Sequence, residues 1–265
     1  MLIVSAAGAS LVWAQGPDSP PPPALPEETQ KNVAARCFEP PPLVHWEEFH
    51  GPFKRVVGAV TRKLERTSVH PPHYSPEVVV CSLEPREKFA LFILNTFDPV
   101  SFLTAGFNAG LDQAENRDPR FGLGAAGYSK RFGASFADQS SARFFTGFAY
   151  PTLFSEDPRY YRLGHGSSDR KRLLHAVEHV VVGHSDSGER MFNYSEWLGT
   201  SSAVALSDAY HPGNKLGLAP IAQAVGYSIL ADMGIDVLRE FWPEIEHRFR
   251  MPLRERQEPA APSGQ

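Results

Sequence analysis

Aromatic residues in the centre of the chain recur at helical spacing. They lie mostly four positions apart between 128 and 148, at Tyr128, Phe132, Phe136, Phe144 and Phe148. Residues four apart share one face of an α-helix. The pattern predicts one long helix with an aromatic face toward a core. Its small residues, Gly133 among them, predict a second face that another helix approaches closely.

Capping residues and further apolar periods predict the other helices. Asp98-Pro99 and Ser168-Asp169 each place an N-cap residue before a helical run. The predicted helices span 53–66, 99–113, 170–183, 195–210 and 219–242, and Pro243 interrupts or kinks the last one. We therefore predict an all-α fold, a compact multi-helix bundle with an irregular proline-rich N-terminal arm and a short β-like run at 78–80.

The ends of the chain differ in composition from this body. An apolar run ending at Val12-Trp13-Ala14 predicts a signal sequence over 1–14, cleaved after Ala14, although no Lys or Arg precedes it. Prolines predict a tether over 15–37 and an irregular covering arm over 38–85. The helical domain is expected over 86–250, and the polar 251–265 segment is expected to be a disordered tail.

One apolar stretch, 89–111, is long enough to span a bilayer. Asp98 and Pro99 divide it into two shorter helices, a pattern that fits a buried or re-entrant pair better than one continuous span. The negative mean hydropathy of -0.28 argues against a protein with many spans. Contact between the helical body and a membrane remains open at this stage.

Charge and cysteine content narrow the function classes. The formal net charge is -4 with acids and bases interspersed, which predicts no nucleic-acid binding. The chain has two cysteines, Cys37 and Cys81, which we expect to pair in an oxidising compartment. Two free thiols are the alternative.

The sharpest chemical motif is His175-x-x-Glu178-His179 on a predicted helix. Two imidazoles four residues apart could hold one zinc ion, with Glu178 activating a water. The local string RLLHAVEHVVVGHS resembles the corresponding stretch of the inverzincin peptidases. Glu240 is the candidate third ligand, and Glu244 and His184 are alternatives. The plainer interpretation places both histidines on the polar face of an amphipathic helix.

Two other polar segments are interpreted as structural. Residues 207–212 carry Ser, Asp, Tyr and His next to one another, but catalytic triads are gathered from distant segments, so we predict a helix end and a turn there. In 155–162 we predict arginines paired with acids rather than a binding loop.

Asp232, Asp236 and Glu240 share a helix face, which predicts a solvated stripe unless arginines pair with it.

Several strings resemble an uncharacterised family of exported bacterial helical proteins over about 84–249. They are TFDPVSFLTAGFNAGLDQA, FGLGAAGYSKRFGASFADQ, YPTLFSEDPRYYRLGHGS and MFNYSEWLGTSSAVALSDAYHPGN. No activity is attached to that family. The resemblance implies only that the body is one inherited unit.

Three hypotheses of function follow. The first is a non-enzymatic, exported protein on the periplasmic side of the envelope, which contacts a membrane surface or an envelope protein and leaves self-association open. The second is a zinc-dependent hydrolase that uses Glu178 as the base and His175, His179 and Glu240 as metal ligands. The third is a lipid or small-molecule carrier with a pocket between helices.

Overall fold

Helices dominate the computed structural model, which describes residues 37–38, 54–69, 79–164, 166–211 and 217–249. The α-helices are α1 (Lys54–Arg66), α2 (Pro85–Thr96), α3 (Pro99–Ala114), α4 (Gly124–Phe144), α5 (Tyr150–Phe154), α6 (Asp169–Glu178), α7 (Thr200–Tyr210) and α8 (Leu218–Phe249). A 3-10 turn spans Pro119–Phe121, and π-helical turns span Phe145–Ala149 and Ser195–Gly199. The predicted all-α class is confirmed. The predicted signal sequence, the tether up to residue 36 and the 251–265 tail lie outside the described residues.

Short strands tie the helices together. They are β1 (Cys37–Phe38), β2 (Ser68–Val69), β3 (Val79–Val80), β4 (Glu156–Asp157), β5 (Tyr160–Tyr161), β6 (Val182–Ser185) and β7 (Arg190–Phe192). β1 pairs with β3 and β2 with β5 in parallel, while β4, β6 and β7 form an antiparallel sheet. In the last sheet Asp157 lies opposite His184, and Gly183 lies opposite Met191.

Apart from the π-helical turns at Phe145–Ala149 and Ser195–Gly199, which fall within predicted helices, helix boundaries agree with the sequence prediction except at two places. The helix predicted over 170–183 ends at Glu178, because the β-branched run that follows enters strand β6. The last helix continues through Pro243 to Phe249 instead of ending at Trp242. Trp242 is buried against Leu64 of α1, so packing holds this part of α8 in place.

The described part of the predicted covering arm packs against the helical body. Leu64 of α1 packs with Trp242 of α8, and the backbone amide of Tyr160 in β5 donates to the carbonyl of Thr67. Cys81 forms a disulfide, and Cys37 is the chain's other cysteine, so the predicted pairing is confirmed.

The centre of the fold is unusually polar. The largest side chains with almost no exposure include Arg131, Lys88 and Glu240, together with Tyr160. Each of the three charged groups is hydrogen bonded, as burial of charge requires. Many large apolar side chains of α2, α3 and α8 are exposed instead.

The long helix α4 turns a different face inward than its sequence predicts. Gly127, Arg131 and Ser135 are buried, whereas Tyr128 and the small residue Gly133 are exposed. Arg131 donates to the carbonyl oxygens of Arg117, Asp118 and Gly122 in the preceding loop. The aromatic side chains pack against aromatic rings of neighbouring helices, as Phe136 does on Phe102 of α3.

One helix and one bent pair of helices have the length and composition of membrane segments. Within α8, residues 218–245 pass this test alone, and α2 and α3 pass it together although they bend by 48° at their break. The break was predicted from Asp98-Pro99, and Asp98 caps α3 by accepting from the amide of Ser101 at 2.9 Å.

Substitution of two of the glycines of α4, Gly127 and Gly133, tests this packing. A Cβ at Gly127 would lie 2.3 Å from the carbonyl oxygen of Gly122, whereas a Cβ at Gly133 meets no atom within 4 Å. We expect Gly127→Ala to lower the free energy of unfolding by about 1–3 kcal/mol, because backbone must move. Gly133→Ala, the matched control, should raise it by up to about 1 kcal/mol through helix propensity. Urea denaturation measures both, and equal effects would contradict the packing described.

Candidate functional site

The two histidines of the predicted metal motif contact different partners. His175 lies in α6, and His179 caps the C-terminal end of that helix. The Nε2 atom of His175 lies 2.7 Å from the carbonyl oxygen of Tyr161, and Nδ1 of His179 lies 2.7 Å from Oδ2 of Asp236. Both rings flank the aromatic ring of Tyr160. The shared helical face was predicted correctly, but the ring nitrogens bind to separate elements.

Glu240 is the hydrogen-bond acceptor at the centre of this region. Its side chain is fully buried. Oε1 accepts from Nε of Arg172 at 2.9 Å and from the amide of Gly164 at 3.2 Å. Oε2 accepts from the hydroxyl of Tyr160 at 2.9 Å and from the amide of Leu163 at 3.1 Å. Four donors therefore surround the carboxylate that the sequence offers as a third zinc ligand.

The other candidate residues, Glu178, Glu244 and His184, also contact other partners. Glu178 is half exposed and forms an ion pair with Arg190. Glu244 forms an ion pair with Arg172. His184 lies on β6 and stacks on the ring of Tyr161 with ring centres 4.3 Å apart. Burial, together with the charges of the other two histidines, lowers the pKa of His184 to about 4.

The structure does not bring His175, His179 and Glu240 together as ligands. No group of three or more His, Cys, Asp or Glu side chains that could hold a metal ion occurs in the described part of the chain. The zinc-dependent hydrolase with Glu178 as base stays a prediction. The geometry instead gives these residues a structural connection between α6, β5 and α8.

The predicted solvated stripe on α8 is wrong for two of its three members. Asp236 and Glu240 are buried and paired. Asp236 accepts from Arg239 at 2.7 Å and also contacts His179, while Glu240 contacts Arg172. Asp232, the third member, is exposed and faces a cleft. Basic groups of α6 and α8 therefore pair with Asp236 and Glu240.

A second polar cluster surrounds His211 at the end of α7. The helix ends at Tyr210, so the predicted helix end is confirmed. The imidazole then lies between two carboxylates, with Nε2 3.0 Å from Oδ2 of Asp138 and Nδ1 3.3 Å from Oδ2 of Asp118. The hydroxyl of Tyr210 also donates to Asp138, and the ring of Phe121 meets the imidazole edge-on.

Electrostatics fix the charge state of this cluster. The hydrogen bond to Asp138, with the charges of Asp138 and Asp118, raises the pKa of His211 to about 9 against the opposing effect of burial. Although burial alone would raise the pKa of Asp138, hydrogen bonds from His211, Ser207 and Tyr210 lower it. At neutral pH the imidazolium donates from both nitrogens and has no lone pair to accept a proton. His211 therefore suits charge pairing better than general base catalysis.

The loop that carries Asp118 is held by Arg131. Asp118 adopts a left-handed conformation, with φ of 45°. The guanidinium of Arg131 donates to the carbonyl of Asp118 at 3.2 Å and to that of Gly122 at 2.6 Å. The buried arginine thus positions one carboxylate, α4 itself positions Asp138, and the end of α7 supplies His211.

This cluster lines a cleft between α3, α4, α7 and α8. Two adjoining cavities of about 680 Å³ and 640 Å³ share part of their walls. The shared residues are Asn108, Asp138, Gln139, His211, Ser228 and Ala231. The volumes are in the range of small-molecule sites, at roughly 300–1,000 Å³. Most of the shared residues are polar, so the cleft is suited to hydrogen bonding.

A carboxyl pair lies at the edge of the same cleft. Glu196, in the π-helical turn before α7, hydrogen bonds to Asp232, which lines the second cavity. Burial, with the charges of Asp232 and Asp236, raises the pKa of Glu196 to about 8. At neutral pH the Glu196 carboxyl is therefore largely protonated.

Comparison with known proteins gives no relative. No protein-family model, no curated protein and no solved structure matches the chain. Function must therefore be inferred from the geometry itself.

Sequence reasoning missed the His211 cluster because its members are distant in the chain. Asp118 and Asp138 are 93 and 73 positions from His211. The string around His211 carried the right residue types, but nothing in it identifies partners on other elements. The Asp118-Pro119 turn and the buried Arg131 give no local sign of a contact with α7.

The charge state of His211 predicts a pH dependence of stability. A folded pKa of about 9 lies above the unfolded value of about 6.5, so protonation stabilises the fold fully below pH 6.5. This contribution, at most about 3 kcal/mol, is lost as the pH rises to about 9. His211→Gln should remove this part of the pH dependence in urea denaturation between pH 6 and 9.5, taken as the difference from the wild type.

His184→Gln is the matched control for this measurement. The pKa of His184 is about 4, so this residue is neutral throughout the window. Between about pH 7.5 and 9.5 the imidazole is neutral in the unfolded state as well, so the substitution of His184 should shift stability by a constant amount there. If the stability profile of His211→Gln ran parallel to that of the wild type at every pH, the two-carboxylate geometry would be contradicted.

Proposed function

We propose that this chain is an exported, non-enzymatic helical protein of the cell envelope that associates with a lipid bilayer. The bilayer contacts the α2–α3 apolar surface, which we define as the exposed side chains Phe89, Leu94, Phe97, Phe102, Leu103, Phe107 and Leu111. The observation that carries the proposal is the inverted burial of these two helices.

Helix α3 buries its small and polar residues and exposes its large apolar ones. Ser101, Ala105 and Ala109 have no exposed surface, while Leu103 and Phe107 are 56% and 67% exposed. Both sets repeat every four residues, so they occupy opposite faces of one helix. A helix surrounded by water has the reverse arrangement. Lipid as the outer solvent explains why the apolar face points outward.

The length of the apolar helices favours a bilayer over a protein partner. The α2–α3 pair passes the test for a broken span or re-entrant loop, and only 11% of the most apolar window of α8 is buried. A protein partner would need a compact patch, whereas here exposed apolar residues extend along helices of membrane dimensions. The polar centre of the fold supports the same proposal, because satisfied polar groups face inward in membrane-associated bundles.

The disulfide supports the proposed export of the chain. Such bonds persist in the periplasm and other oxidising compartments and are rare in the cytosol. Cys81 is bonded in this structure. Together with the apolar start of the sequence, this supports export to the periplasmic side of the envelope.

Vesicle flotation of the full chain tests the proposal. We expect the wild type to float with phosphatidylcholine vesicles, and Leu103→Gln with Phe107→Gln to reduce the floating fraction at least about tenfold. Burial of one such side chain contributes about 1.5–3 kcal/mol. The matched control is Leu173→Gln with Leu174→Gln, two exposed leucines of α6.

The control pair should float like the wild type. A wild type that stays in the aqueous fraction would contradict bilayer association. If that protein instead formed a dimer that the α3 pair disrupts, a second copy of the chain would be the occupant of the surface.

The cleft favours a second candidate function, carriage of a small polar molecule. Its walls present the amides of Asn108 and Gln139 and the hydroxyl of Ser228. Such groups fix the orientation of a ligand through hydrogen bonds. A carrier would need no catalytic group, which agrees with the protonated state of His211.

Mass spectrometry of material extracted from the purified protein tests the carrier. We expect a stoichiometric small molecule with the wild type and its loss in Ser228→Leu, which fills the shared wall of both cavities. Ala222→Leu, on an exposed part of α8 outside the cleft, is the control and should retain it. A wild type that releases no such molecule would count against carriage.

A further inference from the structure

Basic side chains converge on the break between α2 and α3. Lys63 of α1 lies 3.2 Å from Oδ2 of Asp98 and donates to the hydroxyl of Ser101 at 2.8 Å. Arg143 of α4 donates to the same hydroxyl at 2.9 Å. Arg66 of α1 donates to the carbonyl of Leu94 at 2.9 Å. Two helices, α1 and α4, thus bring three cations to the point where the apolar pair bends.

The charges in this cluster do not balance. Asp98 attracts Lys63, Arg66 and Arg143, and one carboxylate neutralises only one of them. Asp232 also attracts Arg143, so two carboxylates face three cations. Burial, with the charge of Arg143, lowers the pKa of Lys63 to about 8, and burial lowers the pKa of both arginines. The crowding of positive charge favours an anion nearby.

Arg66 has donors available for such an anion. Its NH1 group binds the carbonyl of Leu94 and the side-chain oxygen of Asn95. Among the residues with described structure, no hydrogen bond of its Nε or NH2 group is formed. A guanidinium carries five N–H donors in a planar fork that matches phosphate oxygens.

The cluster also borders the α2–α3 apolar surface. Arg66 contacts the backbone of Leu94, which is 56% exposed, and Phe97 at the break is 58% exposed. Apolar side chains next to arginine and lysine are the arrangement found where a protein meets the headgroup layer. A free phosphate ion would satisfy the cations but would leave Leu94 and Phe97 in water.

We propose that Arg66 binds the phosphate of anionic phospholipid headgroups, with Lys63 adding positive charge nearby, while the α2–α3 apolar surface contacts the acyl region. This inference rests on the proposed bilayer association and specifies its lipid class. The break between the two helices then marks the depth of the protein in the bilayer, since the cations stay at the headgroup level.

Flotation with two vesicle compositions tests the proposal. We expect the full chain to bind vesicles with about 30% phosphatidylglycerol several-fold more strongly than pure phosphatidylcholine, since each basic residue near an anionic surface adds about a factor of five. Arg66→Gln should lose about fivefold on the anionic vesicles and nothing on the neutral ones. Arg66→Lys should retain most of the binding because the charge remains.

Arg120→Gln is the matched control, with the same change of charge at an exposed arginine. It should leave the anionic preference intact. High salt should abolish the preference of the wild type without any substitution, because screening weakens exposed charge pairs. The salt measurement on the wild type still tests the proposal if Arg66→Gln folds poorly.

The outcomes separate the two proposals. No binding to either vesicle overturns the bilayer association itself. Equal binding to both compositions, unchanged by Arg66→Gln and by salt, leaves bilayer association standing and overturns the headgroup site. Binding of inorganic phosphate in calorimetry that depends on Arg66, without any anionic vesicle preference, assigns the cluster to a free anion and also overturns it.

Discussion

A buried guanidinium loses its hydration, and the fold supplies hydrogen-bond acceptors in place of that water. Arg131 is 2% exposed and holds the loop before α4 through three backbone carbonyls. Arg172 ties α6 to Glu240 of α8, and Arg162 donates to the backbone of Arg239 and pairs with Glu65 of α1. Removal of any of these acceptors would strand a buried charge, so the positions of α1, α4, α6 and α8 depend on these contacts.

This polar centre explains why apolar side chains are displaced to the outside. Helices that meet through arginines and carboxylates turn their small residues inward, as α3 does with Ala105 and Ala109. Their large apolar residues then face outward, an arrangement that the proposed bilayer association would stabilise. The break at Asp98 and the cations around it belong to the same arrangement, because a charged cap needs water or headgroups close by.

The cleft also depends on the hydrogen bonds that a buried guanidinium requires. Arg131 fixes the loop that carries Asp118, and His211 then bridges Asp118 and Asp138. The bridge joins the loop, α4 and the end of α7, and His211 and Asp138 line both adjoining cavities. Because both carboxylates hold the imidazole in its protonated form, the cleft is suited to binding rather than to proton transfer.

The sequence by itself determined the all-α class, the helix starts at Asp98-Pro99 and Ser168-Asp169, and the arginine–carboxylate pairing near 157–159. These follow from local rules, since caps, turns and four-residue periods act within a few positions of the chain. Only the tertiary structure decided which face of α4 is buried, that Glu240 accepts from four donors, and that His211 meets two carboxylates. The physical reason is that a charged side chain is buried only where partners from distant segments satisfy it, and no local pattern encodes those partners.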